Sequence, residues 1–144
     1  ILQRGGSSLE AVEAAIRILE NSPLFNAGRG AVTNAEGFCE LDASIMDGKT
    51  KQAGAVAGLT TVKNPITLAR LVKDSTKHVL LMGEGAERFA AQMPVERVAR
   101  SYFLERDPDK KGEVPDWLHD AKFGTVGAVA LDRQGNLAAG TSTG

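Results

Sequence analysis

The chain has one cysteine, Cys39, and two histidines, His78 and His119, in 144 residues, and these shortages remove several kinds of chemistry. One thiol cannot close an internal disulfide, which suits a reducing compartment. A zinc site needs several Cys or His ligands at short spacing, and they are missing. A Ser-His-Asp or Cys-His system needs an imidazole held in place. His78 opens an apolar strand and reads as a strand-end residue, while His119 lies in a charged stretch where nothing fixes it. Neither sign of charge is in excess: 17 Lys and Arg against 18 Asp and Glu leave a net charge of −1. Both signs are interspersed, so there is no electrostatic footprint for nucleic acid or an anionic membrane. No apolar run is long enough to span a bilayer and no signal peptide is visible, so we expect a cytoplasmic protein. An initiator Met is also missing and the last residues run straight off a strand. We therefore expect an internal piece of a longer protein.

What is present is an ordinary globular balance, 42% apolar and 24% charged, able to bury one core. Ser7 or Ser8 can cap a helix whose Leu9, Val12, Ile16 and Leu19 recur at helical spacing, and Asn21-Ser22-Pro23 ends it. Residues 37–48 alternate as a strand ending in the turn Asp47-Gly48, and 52–62 read as its hairpin partner. Asn64-Pro65 opens a second helix, with Pro in its first turn. Residues 78–83 read as a short buried strand and 84–93 as a third helix. The stretch 97–123 is charged, with two prolines and no sustained period, so we expect a mobile linker there, poorly ordered above all at 105–122. Beyond it, 125–132 and 136–144 flank the turn Arg133-Gln134-Gly135 as a hairpin. Strand pairs and helices in segregated runs, with Ala and Gly throughout the strands, give an α/β (α+β) class, with helices packed closely on sheets.

The candidate chemistry is sparse. Gly28-Arg29-Gly30 and Gly83-Glu84-Gly85 lack the full phosphate-binding fingerprint and read as tight turns. Asp42 and Asp47 point to opposite faces of one strand and are not a catalytic carboxylate pair. Trp117 reads as a packing anchor. Hydroxyls remain: Thr125, Thr141 and Thr143 lie on the two strands of one hairpin. A threonine hydroxyl becomes a useful nucleophile when the chain is cut just before it, because the freed α-amine, with a pKa of roughly 7.7–8.0, can take its proton. Gly124 tolerates unusual backbone angles at such a junction. Gly124-Thr125 is therefore either ordinary punctuation at the start of a strand or a presented nucleophile, and spacing alone leaves both open.

The stretches "PLFNAGRGAV", "ELDASIMDG", "AGAVAGL", "NPITLARLV", "HVLLMGEGAE" and "GTVGAVALDRQGNLAAGTSTG" run in order from about residue 8 to the end. They closely resemble the plant-type L-asparaginase/isoaspartyl peptidase family of threonine N-terminal-nucleophile hydrolases. That resemblance implies a four-layer αββα sandwich, here a partial domain over residues 1–144. It also implies a precursor that cuts itself between Gly124 and Thr125. Residues 1–124 would then belong to an α subunit and 125–144 would start the β subunit. Thr125 would be the agent of cleavage and the catalytic nucleophile, Thr143 its supporting hydroxyl, and Asn26 the asparagine beside the scissile bond. The loop 19–29 would hold a structural sodium ion through the main-chain carbonyls of Leu19, Glu20, Ser22, Phe25, Ala27 and Arg29, with no cofactor for the chemistry.

The implied substrates are L-asparagine and β-aspartyl dipeptides, and the implied assembly is a dimer of αβ units. The family's N-terminal His-Gly-Gly segment is expected before Ile1. The arginine and aspartate that grip the substrate, with the oxyanion donors, are expected beyond Gly144. A related alternative is glycosylasparaginase, whose usual disulfides one cysteine does not favour. A non-catalytic homologue is the other, and the intact Gly124-Thr125 pair speaks against it.

Overall fold

The computed structural model describes residues 1–104 and 124–144. Ser7 caps α1 (Ser8–Glu20): its side chain accepts the Glu10 N–H and the Glu10 carboxylate accepts the Ser7 N–H, a reciprocal capping box. Val12 and Ile16 form its buried stripe. The strands β1 (Leu41–Asp47) and β2 (Ala53–Leu59) form an antiparallel hairpin. After them come α2 (Pro65–Ser75), the short strand β3 (Leu80–Met82) and α3 (Gly83–Ala90). A second hairpin, β4 (Val126–Leu131) and β5 (Leu137–Thr143), completes the described residues.

These strands make one five-stranded sheet in the order β3-β2-β1-β5-β4. β5 pairs antiparallel with β1, so the late hairpin is inserted directly beside the early one. Helix α1 packs beneath β4 and β5, and α2 beneath β2 and β1. On that side Leu41, Ala43 and Ile45 of β1 join Val56, Leu59, Ile66, Leu68 and Val72 in the core. The opposite face carries Met46, Val129, Leu131 and Leu137, all exposed. The architecture is mixed α/β, one helix layer and one sheet layer, consistent with a partial N-terminal-nucleophile hydrolase domain. Close layer contact depends on small residues: a Cβ on Gly54 would lie 2.2 Å from the Ala69 carbonyl oxygen of α2.

Several elements depart from expectation. β1 begins at Leu41 because Asn34 Oδ1 accepts the Glu36 and Phe38 N–H groups, folding those residues into a turn. β2 stops at Leu59, where the Glu87 carboxylate takes the Thr60 and Thr61 N–H groups out of the ladder. β3 was expected to be buried, yet it is a sheet edge with Leu80 51% and Met82 67% exposed. Residues 97–104, the start of the expected mobile linker, hold a defined place. Val98 N–H donates to the Thr61 carbonyl, and Phe103 is buried in the core. Its apolar ring and the Arg97–Glu87 ion pair outweigh the charged character of the segment as a whole. The rest of that expectation, 105–123 with Trp117 and His119, lies outside the described residues.

Candidate active site

Side chains alternate along a strand, so each strand of this sheet presents one set to the helices and one to the open face. On β5, Ser142 turns down and is 1% exposed, while Thr141 and Thr143 turn up. On the neighbouring strand Val126 is buried, so Thr125 just before it shares the open face with Thr143. The two hydroxyl oxygens stand 2.7 Å apart. That is an ordinary O–H···O hydrogen bond, and either oxygen can be the donor.

A second contact fixes the other side of the junction. The Asn26 main-chain N–H donates to the Gly124 carbonyl oxygen at 3.3 Å. Asn26 is itself held, because its Oδ1 accepts the Val32 N–H at 3.0 Å. Gly144 lies against the same loop: a Cβ there would come 2.2 Å from Ala31 Cβ and 3.3 Å from Asn26 Oδ1. The structure thus brings Gly124, Thr125, Thr143 and Asn26 together. A threonine hydroxyl thus stands beside a carbonyl whose oxygen already receives an N–H donor, with a second hydroxyl touching the first.

Thr141 is separate. Its hydroxyl pairs with Ser44 Oγ at 2.9 Å, one step along the open face. A shallow groove of about 570 Å³ crosses that face past Ser44, Met46, Val129 and Thr141, and neither Thr125 nor Thr143 lines it. His78 precedes β3, at the opposite edge of the sheet from β4. Among the described residues no cluster of three or more His, Cys, Asp or Glu could hold a metal ion. No helix among them is long and apolar enough to cross a membrane.

Two carboxylates near the site were not legible as such. Asp42 is the register partner of Thr143 on β1. A bulge in β2 places two residues opposite it, and Gly58 there, at φ 64°, donates its N–H to Asp42 Oδ1 at 2.8 Å. Strand register across the inserted hairpin is invisible to a linear reading. Glu20 was expected to matter only through its carbonyl, but its side chain is fully buried. It accepts the Ile66 N–H and the Asn64 amide, each at 3.0 Å, and so caps α2 in place of Asn64. Burial pushes its carboxyl up to about 7, against the opposing pull of the nearby Ser142 hydroxyl and of the hydrogen bonds from Ile66 and Asn64.

The carbonyls of the expected sodium loop crowd around two glycines. A Cβ on Gly28 would lie 2.3 Å from Glu20 O, and one on Gly30 would lie 2.1 Å from Phe25 O. Leu19 O, Phe25 O and Ala27 O accept N–H groups within the loop, among them those of Ser22, Ala27 and Gly30.

The family model described as asparaginase matches residues 1–113 and 104–144. The chain is 50% identical over 153 residues to the isoaspartyl peptidase/L-asparaginase of Rattus norvegicus, covering all of this chain and 45% of that protein. It is 47% identical over 152 residues to the isoaspartyl peptidase/L-asparaginase of Homo sapiens, covering all of the chain and 49% of the relative. It is 46% identical over 159 residues to the isoaspartyl peptidase of Salmonella typhimurium, again over the whole chain and 50% of the relative. The chain spans about half the length of the curated relatives it matches.

Proposed function

The chain belongs to the asparaginase family, and we propose that the protein containing it is an autoprocessing amidohydrolase with Thr125 as its nucleophile. The observation that carries this reading is the 2.7 Å contact of the Thr125 and Thr143 hydroxyls beside a Gly124 carbonyl that accepts the Asn26 N–H. In the first phase Thr125 Oγ1 gives up its proton and attacks the Gly124 carbonyl carbon. The carbonyl oxygen gathers negative charge, and the Asn26 N–H is already directed at it. Collapse breaks the Gly124–Thr125 peptide bond, the Thr125 nitrogen takes a proton, and an ester links Gly124 to Thr125 Oγ1. Water hydrolyses that ester, leaving the Gly124 carboxylate and Thr125 with a free α-amine and hydroxyl.

In the second phase that α-amine serves as the base for its own hydroxyl near neutral pH. Thr143, touching Thr125 Oγ1, orients the nucleophile. The names of the relatives, isoaspartyl peptidase and L-asparaginase, support two substrate classes: the side-chain amide of L-asparagine, releasing aspartate and ammonia, and β-aspartyl dipeptides. Both pass through an acyl ester on Thr125 that water resolves.

No cofactor enters this chemistry. A structural sodium ion fits the 19–29 loop, where the carbonyls of Leu19, Glu20, Ser22, Phe25, Ala27 and Arg29 would hold it. A hard monovalent cation suits neutral carbonyl oxygens. We further propose a cytoplasmic protein that assembles as a dimer of αβ units and does not act on nucleic acid or at membranes. The lone cysteine supports the compartment, and the balanced charge supports the absence of nucleic-acid and membrane partners.

The test is mass spectrometry of the full-length protein after incubation, with turnover on L-asparagine and a β-aspartyl dipeptide. Two fragments meeting at Thr125 and both hydrolyses are expected. A single uncut, inactive chain would overturn the reading.

A further inference from the structure

Among the described residues, Ser142 Oγ is a buried side-chain polar atom without a hydrogen-bond partner. A hydroxyl in that state is costly, and a strand offers many apolar alternatives. Its place in the chain gives it meaning. Ser142 immediately precedes Thr143, so its side chain points into the helix layer while Thr143 points up to Thr125.

Beneath Ser142 lies the end of α1, and the Ser142 side chain is among the groups that face the Glu20 carboxyl there. That carboxyl is anchored from its far side by Ile66 N–H and by Asn64 Nδ2. The main chain of the same residue packs against Gly28, in the loop that carries Asn26. Glu20 therefore touches both arms of the cleavage junction: the strand bearing Thr143 from below, and the loop whose N–H meets the Gly124 carbonyl.

We propose that Glu20 and Ser142 form a buried positioning pair for the Thr125 site. The Ser142 hydroxyl closes onto a Glu20 carboxyl oxygen as the junction is brought into reacting geometry, setting the height of the Thr143 hydroxyl under Thr125. Neither residue touches substrate; both act through Thr143. The proposal deepens the hydrolase reading and rests on it.

Ser142→Ala separates this from a purely structural role. Removing an unpaired buried hydroxyl leaves the fold as stable as before or more so. A positioning role predicts that the same change slows self-cleavage and lowers kcat about tenfold, with KM unchanged. Glu20→Gln should lower both rates as well. The double variant should be no slower than the slower single one, because residues acting as one unit are not additive. Ser142→Cys, which keeps the volume and weakens the hydrogen bond, carries the same test should the alanine variant fold poorly. All are measured in the full-length protein, with thermal midpoints alongside self-cleavage and turnover. Rates within twofold of the unaltered protein in the Ser142 variants would overturn the pair and leave the hydrolase reading standing. An unaltered protein that neither cuts itself nor hydrolyses either substrate would overturn both.

Discussion

Thr125, just before β4, and Thr143, on the neighbouring β5, bring their hydroxyl oxygens within 2.7 Å on the open face of the sheet. Thr141 shares that face but is engaged by Ser44. The two threonines of one strand thus provide a test and its control. Valine preserves the shape and strand preference of threonine, so Thr143→Val should fold normally. Loss of one positioned hydrogen bond in an active site costs on the order of 2–4 kcal/mol of transition-state stabilisation. Turnover on L-asparagine should fall roughly a hundredfold or more. Thr141→Val should change it by less than about threefold, the scale of a peripheral contact. Near-equal turnover in the two variants, at matched thermal midpoints, would remove Thr143 from the site.

Asn26 has two separable roles. Its main-chain N–H meets the Gly124 carbonyl, the one proposed to be cut, while its Oδ1 holds the Val32 N–H and so shapes the loop. Asn26→Asp keeps that acceptor, whereas Asn26→Leu removes it and leaves the Val32 donor without its partner. If loop shape is what aims the N–H, the aspartate variant should cut itself within about tenfold of the unaltered rate and the leucine variant far more slowly. Gel densitometry of the two fragments over time measures both. Equal impairment would mean that the Asn26 side chain acts through its amide nitrogen instead.

Elements announced by local chemistry were readable before the structure. Ser7 and Glu10 box the start of α1, Pro65 opens α2, and the turn at Gly135 joins the two halves of the late hairpin. The candidate nucleophile was readable only as a junction, and spacing alone could not separate it from punctuation. What stayed hidden depended on register and on contacts between distant segments. Asp42 and Thr143 are 101 positions apart in the chain and face each other only because β5 inserts beside β1. Ser142 looks like any strand serine until the end of α1 is placed beneath it. The exposure of β3 followed from its position in the sheet order, which its apolar sequence does not encode.

Gly144 tests how closely the strand end and the Asn26 loop must pack. A Cβ there would meet Ala31 Cβ at 2.2 Å, so Gly144→Ala forces one of the two segments to move. Overpacking of this kind costs about 1–3 kcal/mol of stability. The movement would also part Thr143 from Thr125, so self-cleavage should slow beyond what the stability loss explains. Ala31→Gly removes the closest of these contacts but leaves the Ala31 Cα at 2.9 Å, so combined with Gly144→Ala it should recover part of both. A double variant no better than Gly144→Ala alone would show that the strain lies elsewhere.

Glu20 makes stability depend on pH in the direction opposite to an ordinary paired carboxylate. Burial raises its folded value to about 7 from an ordinary 4.5. Below the unfolded value the group is protonated in both states, and its favourable contribution is fully present. As pH climbs, the unfolded chain ionises first, and the contribution is lost as pH passes through the folded value. A shift of this size corresponds to roughly 3 kcal/mol across the interval. Other carboxyls act in reverse. Those of Glu87 and Asp132 lie below their ordinary values, because hydrogen bonds from Thr61 and its neighbours, and from Asn136 and its neighbours, outweigh burial. The contribution of Glu20 therefore has to be read by difference. Glu20→Gln is close in shape, does not titrate and can still accept the Ile66 N–H. Denaturant unfolding of the full-length protein, in a Thr125→Ala background so that one chain is followed, should be compared with and without Glu20→Gln from pH 4.5 to 8.5. The unaltered Glu20 form should lose ground to the glutamine form from about pH 4.5 upward and level off once pH has passed through about 7. A difference that stays flat across that range would mean that Glu20 holds its charge in the folded protein as readily as in water.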